Sequence, residues 1–166
     1  MTAHAVRLRA LKPSDADFAE RVGEIAELEQ ELFGADAWSR ELVEQELAGE
    51  FRDYFVLLAE GDAETGVLGY GRVLGYGGVL VLGGEADVQT IAVAPQLRGQ
   101  GWGRRLLERL LNAATHAGAK KIFLEVRADN TVARQLYDSF GFAELGVRKG
   151  YYQPGNVDAI VLEKRL

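Results

Sequence analysis

The chain has 166 residues, enough for one domain with a substantial core, and its 48% hydrophobic and 27% charged residues exclude disorder as a whole-chain reading. A formal net charge of −6 argues against a general nucleic-acid binder and leaves room for a basic peptide or protein partner. With no cysteine, disulfides, thiolate zinc sites and an enzyme-borne cysteine nucleophile are excluded as well. No apolar run approaches the ~20 residues of a membrane span, and the first residues lack the apolar stretch of a secretory signal, so a cytoplasmic protein away from membranes is expected.

Taken in chain order, a short apolar start (Val6, Leu8) leads to Pro13-Ser14-Asp15, which reads as a helix start. Phe18, Val22, Ile25, Leu28 and Leu32 then recur at spacings of three and four, one face of a helix. Gly34 to Ala37 breaks it, and Ser39 can cap a second helix carrying Leu42, Val43 and Leu47. Tyr54 to Glu60 reads as a strand and Gly61-Asp62 as its turn. Val67 to Leu82 supplies more strand, although Gly71, Gly75, Gly77 and Gly78 blur its register. Gly83-Gly84 turns the chain into Asp87 to Val93, so the middle third is expected to be an antiparallel meander. Leu106, Leu107, Leu110, Leu111 and Ala114 form a helical stripe that ends near Gly118. Ile122, Leu124 and Val126 alternate with Phe123, Glu125 and Arg127, a strand. Asp129-Asn130-Thr131 can cap a helix with Val132, Leu136 and Phe140 at four-residue spacing, and two last strands cover roughly Phe142 to Tyr152 and Asp158 to Leu166. No boundary splits the chain, so one domain over residues 1–166 is expected.

Between a strand and a helix lies Arg98-Gly99-Gln100-Gly101-Trp102-Gly103-Arg104. Glycines there let successive amides point into one concavity, a helix N-terminus adds donors, and two arginines add charge that suits phosphate. The spacing is neither the dinucleotide fingerprint nor a P-loop. On spacing alone the segment is either a pyrophosphate cradle or a tight turn without a ligand.

Here the sequence resembles the GNAT N-acetyltransferases. Arg98 to Gly103 is similar to the acetyl-CoA signature of that family, and Ile91-Ala92-Val93-Ala94-Pro95 stands where its bulged fourth strand stands. Leu124-Glu125-Val126-Arg127-Ala128-Asp129-Asn130 and Leu136-Tyr137-Asp138-Ser139-Phe140-Gly141-Phe142 resemble the RimI-type branch. So do Arg148-Lys149-Gly150-Tyr151-Tyr152, Asp158-Ala159-Ile160 and, near the start, Leu28-Glu29-Gln30 with Trp38-Ser39. The resemblance spans nearly the whole chain. It implies an α/β (α+β) GNAT fold, with a mixed, mostly antiparallel central sheet flanked by helices on both faces. The sheet should splay between the Asp87–Val93 and Lys121–Arg127 strands, with acetyl-CoA in the gap. It also implies acetylation of a protein N-terminus, the N-terminal alanine of a small-subunit ribosomal protein in that branch, with no direct nucleic-acid partner.

The residues themselves leave several roles open. Glu125 is either an exposed strand carboxylate paired with a neighbour such as Arg127, or a partly desolvated base with a raised pKa; the resemblance implies the base, acting through water. Tyr137 either packs one helix face with Ala133 or, as the resemblance implies, gives a proton to the leaving sulfur. Asn130 can cap its helix, bond pantetheine, or both, and backbone groups of Ile91 and Val93 would hold pantetheine in the family manner. For the acceptor, the resemblance implies Tyr151 and Tyr152 on one loop, with Glu29, Phe33 and Trp38 opposite. Aromatics can wall a pocket for alanine and a carboxylate suits an ammonium. Core packing explains Phe33 and Trp38 equally well. Ala37 stands where the family commonly has proline, and Gly34-Ala35-Asp36 lengthens that loop, which bears on acceptor specificity. His4 and His116 are isolated, so no metal is expected. Internal lysines or a small-molecule amine are the alternative acceptors, and a noncatalytic acyl-CoA-binding module is the alternative class.

Overall fold

The computed structural model describes residues 5–60 and 71–166. Its elements run β1 (Val6–Leu11), α1 (Phe18–Phe33), α2 (Arg40–Ala48), β2 (Arg52–Ala59), β3 (Val73–Leu82), β4 (Glu85–Val93), α3 (Trp102–His116), β5 (Lys121–Arg127), α4 (Thr131–Ser139), β6 (Ala143–Tyr152) and β7 (Val157–Arg165). The strands form a seven-stranded sheet in the order β1-β2-β3-β4-β5-β7-β6. The β1–β2, β5–β7 and β6–β7 ladders are antiparallel and β4–β5 is parallel. This is the mixed, mostly antiparallel α/β sheet expected. The turn expected at Gly61-Asp62, and the first residues of the strand expected from Val67, lie outside the described residues.

By compactness the chain divides into two units, Met1–Gly78 with Thr90–Leu110, and Val79–Gln89 with Leu111–Leu166.

In the first unit, β1 corrects the sequence reading, which took Val6 and Leu8 only as an apolar start. The segment alternates apolar residues with Arg7 and Arg9, and becomes a strand because β2 offers it a full ladder, Val6↔Ala59 through Leu11↔Tyr54. The run Tyr54-Phe55-Val56-Leu57-Leu58 is apolar without alternation because both faces of β2 are covered. Tyr54, Val56 and Leu58 join Val22, Ile25 and Leu28 of α1 and Val43 and Leu47 of α2 in one core cluster. On the other face Phe55 lies under the Arg109 guanidinium of α3, 5.0 Å from its ring centroid, and Leu106, Leu107 and Leu110 are fully buried. The glycines of β3 fit this crowding: a Cβ at Gly78 would overlap the Tyr54 ring. The cap expected at Ser39 is present, its Oγ accepting from the Leu42 amide at 3.2 Å.

In the second unit, β5 alternates as read, with Ile122, Leu124 and Val126 buried. The β4–β5 ladder pairs Glu85–Asp87 with Lys121–Phe123 and ends there, although both strands continue. Asn130 caps α4, its Oδ1 accepting from the Ala133 amide at 3.1 Å. The buried face of α4 differs from the one expected. Val132 is 79% exposed, and Tyr137 is the residue that goes inside, against Phe142 at 5.8 Å between ring centroids. A nine-residue helix has only two and a half turns, so Ala133, Tyr137 and Phe140 make as good a stripe as Val132, Leu136 and Phe140. The sheet it lies on decides between them.

Candidate active site

In the first unit, β4 ends at Val93, and Pro95–Leu97 makes a single short turn with Leu97 buried beneath it. Gly99 (φ +74°) and Gly101 (φ +82°) then take left-handed conformations that an L side chain adopts only with strain. Nothing lies within 4 Å of the Cβ position of either glycine. The first helical bond of α3 runs from the Arg105 amide to the Gly101 carbonyl at 3.1 Å, so among the described residues the Trp102 and Gly103 amides ahead of it have no helical partner. Gln100 ties the turn down through Nε2 to the Gln96 carbonyl at 2.9 Å. Arg98 and Arg104 are exposed, Trp102 lies under the Arg105 guanidinium, and Ile91 and Val93 are half-buried on β4. Helix-start amides, an open glycine turn and two cations suit a pyrophosphate.

Also in the first unit, Phe33 ends α1 at 42% exposure, while Trp38 is half-buried and packs on the core cluster. Glu29 is 2% exposed. Its Oε1 accepts from the Tyr76 hydroxyl and its Oε2 from the Trp38 amide at 3.1 Å. Glu29 therefore does not face solvent, and what it reaches is the backbone of Trp38.

In the second unit, Glu125 lies on the charged face of β5, its side chain 28% exposed. Its ion-pair partner is Arg148 on β6, Nε to Oε1 at 3.0 Å, and not Arg127, which pairs with Asp129 at 3.1 Å. Arg148 and Arg127 both face Ala159 of β7, whereas Glu125 faces Val161, so Arg148 reaches diagonally across β7. Arg148 also stands over the Tyr151 ring at 5.5 Å, and Arg127 over the Tyr152 ring at 5.2 Å. The two tyrosines meet edge to face at 5.2 Å.

Tyr137 is 8% exposed, and its phenol is pushed up to about 12, by burial first and by Tyr152 second. Among the described residues its hydroxyl has no hydrogen-bond partner. Burial raises the Tyr152 phenol too, followed by the charge of Glu125. Glu125 thus acts on Tyr152 and Tyr152 on Tyr137, with Tyr151 joined through its ring contact to Tyr152.

Sequence reasoning passed over Asp87 and Arg148. Asp87 pairs in register with Phe123, so its side chain shares a face with Glu125, two residues on. Burial holds its carboxyl above the ordinary range, assisted by the charges of Glu85 and Glu125. The signal was present in the alternation of β4, but only the parallel register says which residue of β5 it meets. A groove of about 350 Å³ beside α4, lined by Thr131, Arg134, Phe142, Ile160 and Leu162 among others, includes none of the candidate residues. Among the described residues no cluster of three or more His, Cys, Asp or Glu could hold a metal ion.

Comparison with known proteins bears on this arrangement. The profile of the Acetyltransferase (GNAT) family matches residues 22–142. The chain belongs to the GNAT acetyltransferase family. Among its GNAT relatives is a protein of Mycobacterium tuberculosis named N-alpha-acetyltransferase RimI, 37% identical over 140 residues, which are 84% of this chain and 83% of that protein. An uncharacterized protein of Mycobacterium leprae is 37% identical over 155 residues, 93% of this chain; the match spans only 39% of that longer protein. Among solved structures, the ribosomal-protein-S18-alanine N-acetyltransferase of Escherichia coli superposes with a TM-score of 0.79 at 29% identity, over 97% of this chain and 94% of that one. Among the described residues, no helix of this GNAT chain is long and apolar enough to cross a membrane.

Proposed function

We propose that residues 1–166 act as one cytoplasmic acetyltransferase domain that moves an acetyl group from acetyl-CoA to the α-amine of a protein N-terminus, most suitably the N-terminal alanine of a small-subunit ribosomal protein. The observation that carries this reading is the match to an N-alpha-acetyltransferase over 83% of its length. The Escherichia coli neighbour supports the alanine of a ribosomal protein.

Acetyl-CoA, when bound, supplies the thioester carbon that the amine attacks and the sulfur that leaves. The turn from Arg98 to Arg104 fits its pyrophosphate, with Gly99, Gln100, Gly101, Trp102 and Gly103 giving backbone groups. Ile91 and Val93 offer backbone groups, and Asn130 its side chain, to the pantetheine amides. Glu125 takes the proton that the ammonium must lose, through one water. An α-amine (pKa ~7.7–8) is easier to deprotonate than a lysine (~10.4) by roughly 3 kcal/mol, so a carboxylate suffices as base. Tyr137 keeps its proton at neutral pH. Complete transfer from such a phenol to a thiolate, whose thiol sits near ~8.5, is uphill, so Tyr137 serves the leaving sulfur as a hydrogen-bond donor. Phe33, Trp38, Tyr151 and Tyr152 contact the acceptor, and Glu29 contributes through Trp38. The chain has no cysteine to carry an acetyl group, and the amine attacks directly.

The test is CoA release with acetyl-CoA and two short peptides. One begins with a free alanine followed by arginines; the other is the same peptide N-terminally blocked, with an internal lysine. Turnover on the free-alanine peptide alone is expected. Turnover on the blocked peptide would move the assignment to lysine acetylation.

A further inference from the structure

Glu29 shares the buried face of α1 with Val22, Ile25 and Leu28. Among the described residues its bonding partners are two donors, and neither is a cation. A carboxylate in such a place is costly unless both oxygens are satisfied, and a leucine would fill the space without that requirement. What a leucine could not do is bond a backbone amide nine residues further on. That amide belongs to Trp38, at the far end of a loop that leaves α1 at Phe33 and turns through Gly34–Asp36. The other oxygen is held from the sheet. Tyr76 of β3 is fully buried, and its hydroxyl donates to Glu29. Tyr54 stacks beside Tyr76 at 6.4 Å and is itself anchored to Glu46 at 3.0 Å. Burial and the charge of Glu29 hold the Tyr76 phenol far above its ordinary range, so this donor stays protonated.

We infer that Glu29 and Tyr76 are positioning residues for the acceptor: the sheet-held carboxylate fixes the backbone at Trp38, and with it the aromatic wall that Phe33 and Trp38 present to the first residue of the incoming chain. This rests on the proposed function above. The carboxylate and the phenol touch no substrate themselves. Their effect is selective for the acceptor, because the bonds end on the loop and not on the glycine turn.

The experiment uses the full chain with Glu29→Gln, Tyr76→Phe and the double variant. Glu29→Gln keeps the shape but can accept from only one of the two donors through its single oxygen. In each single variant the acceptor-peptide KM is expected to rise about ten-fold, with kcat and the acetyl-CoA KM within about two-fold of the parent. The double variant should be no worse than the worse single one, since both remove the same lock. Hydrogen exchange at the Trp38 amide gives a readout independent of turnover. It should accelerate about ten-fold in all three variants, while the amides of β5 do not change. An unchanged acceptor KM, or a parallel loss in every kinetic constant with Trp38 exchange unaltered, would overturn the inference. If the parent chain turned over no free-amine peptide, the proposed function would fall, and Trp38 exchange would still decide the lock.

Discussion

The Nε of Arg148 lies 3.0 Å from Oε1 of Glu125, reaching from β6 to β5 across the strand between them. The side chains are 57% and 28% exposed, so the pair contributes under ~1 kcal/mol to folding. Its consequence is orientation, because the same guanidinium also covers the Tyr151 ring. Arg148→Ala is expected to leave the melting temperature within about 4 °C. It should lower turnover about five-fold, since the carboxylate loses its anchor while acetyl-CoA affinity is kept. Melting curves with steady-state kinetics check this, and an unaltered rate would reduce the pair to surface decoration.

Glu125→Gln tests the proposed base and keeps the shape. General bases contribute roughly 10²- to 10⁴-fold, so a rate loss of at least about a hundredfold is expected. Calorimetry should find acetyl-CoA binding within about two-fold of the parent, because Glu125 belongs to no part of the pyrophosphate turn. A parent-like rate would remove Glu125 as base.

Tyr137 gives a pH dependence with a definite sign. Its phenol is at about 12 in the folded chain and near ~10 when unfolded. Below pH ~10 both states hold the proton and the stability contribution is complete. As pH rises from ~10 to ~12 only the unfolded state releases it, and about 2–3 kcal/mol of stability is lost. Tyr54 and Tyr76 shift further in the same direction. Urea denaturation at pH 8 and pH 11 should show a smaller difference for Tyr137→Phe than for the parent. The same variant should turn over more slowly with acetyl-CoA affinity intact; weakened affinity at normal turnover would make Tyr137 a binding residue.

At Gly101 the penalty for a side chain is conformational, since space is open but φ is +82°. Gly101→Ala should destabilise the chain by about 1 kcal/mol and weaken acetyl-CoA binding about ten-fold, because relieving the strain turns amides out of the concavity. Calorimetry on the variant measures both. Unchanged affinity would show that the turn is structural only.

Much of the molecule was legible before folding. Ser39 is a plausible cap in the sequence and caps α2, and within Asp129-Asn130-Thr131 it is Asn130 that caps α4, because a cap is decided within four residues. The stripe Leu106, Leu107, Leu110, Leu111 and Ala114 reads as a helix face, and it is fully buried except at Leu111, which is half-buried. The glycine turn announced itself by composition, and Gly99 and Gly101 do adopt left-handed angles. The first strand is not legible in the sequence, because Val6 to Leu11 pairs with β2, some fifty residues away. The buried face of α4 is not the one the spacing picks, because two stripes compete in nine residues.

The sequence by itself determined the types of the elements after β1, the strand-to-helix turn and the family, since each rests on near neighbours or on a run of residues in fixed spacing. Only the tertiary structure decided which charges meet. Arg148 rather than Arg127 reaches Glu125, and Asp87 comes onto the same face, through registers between strands distant in the chain. It likewise turned Glu29 inward onto Trp38 and Tyr76. Helix periodicity says that a residue lies on one stripe of α1, but whether a carboxylate there meets water or a phenol depends on what packs against it, and that is set by the whole chain.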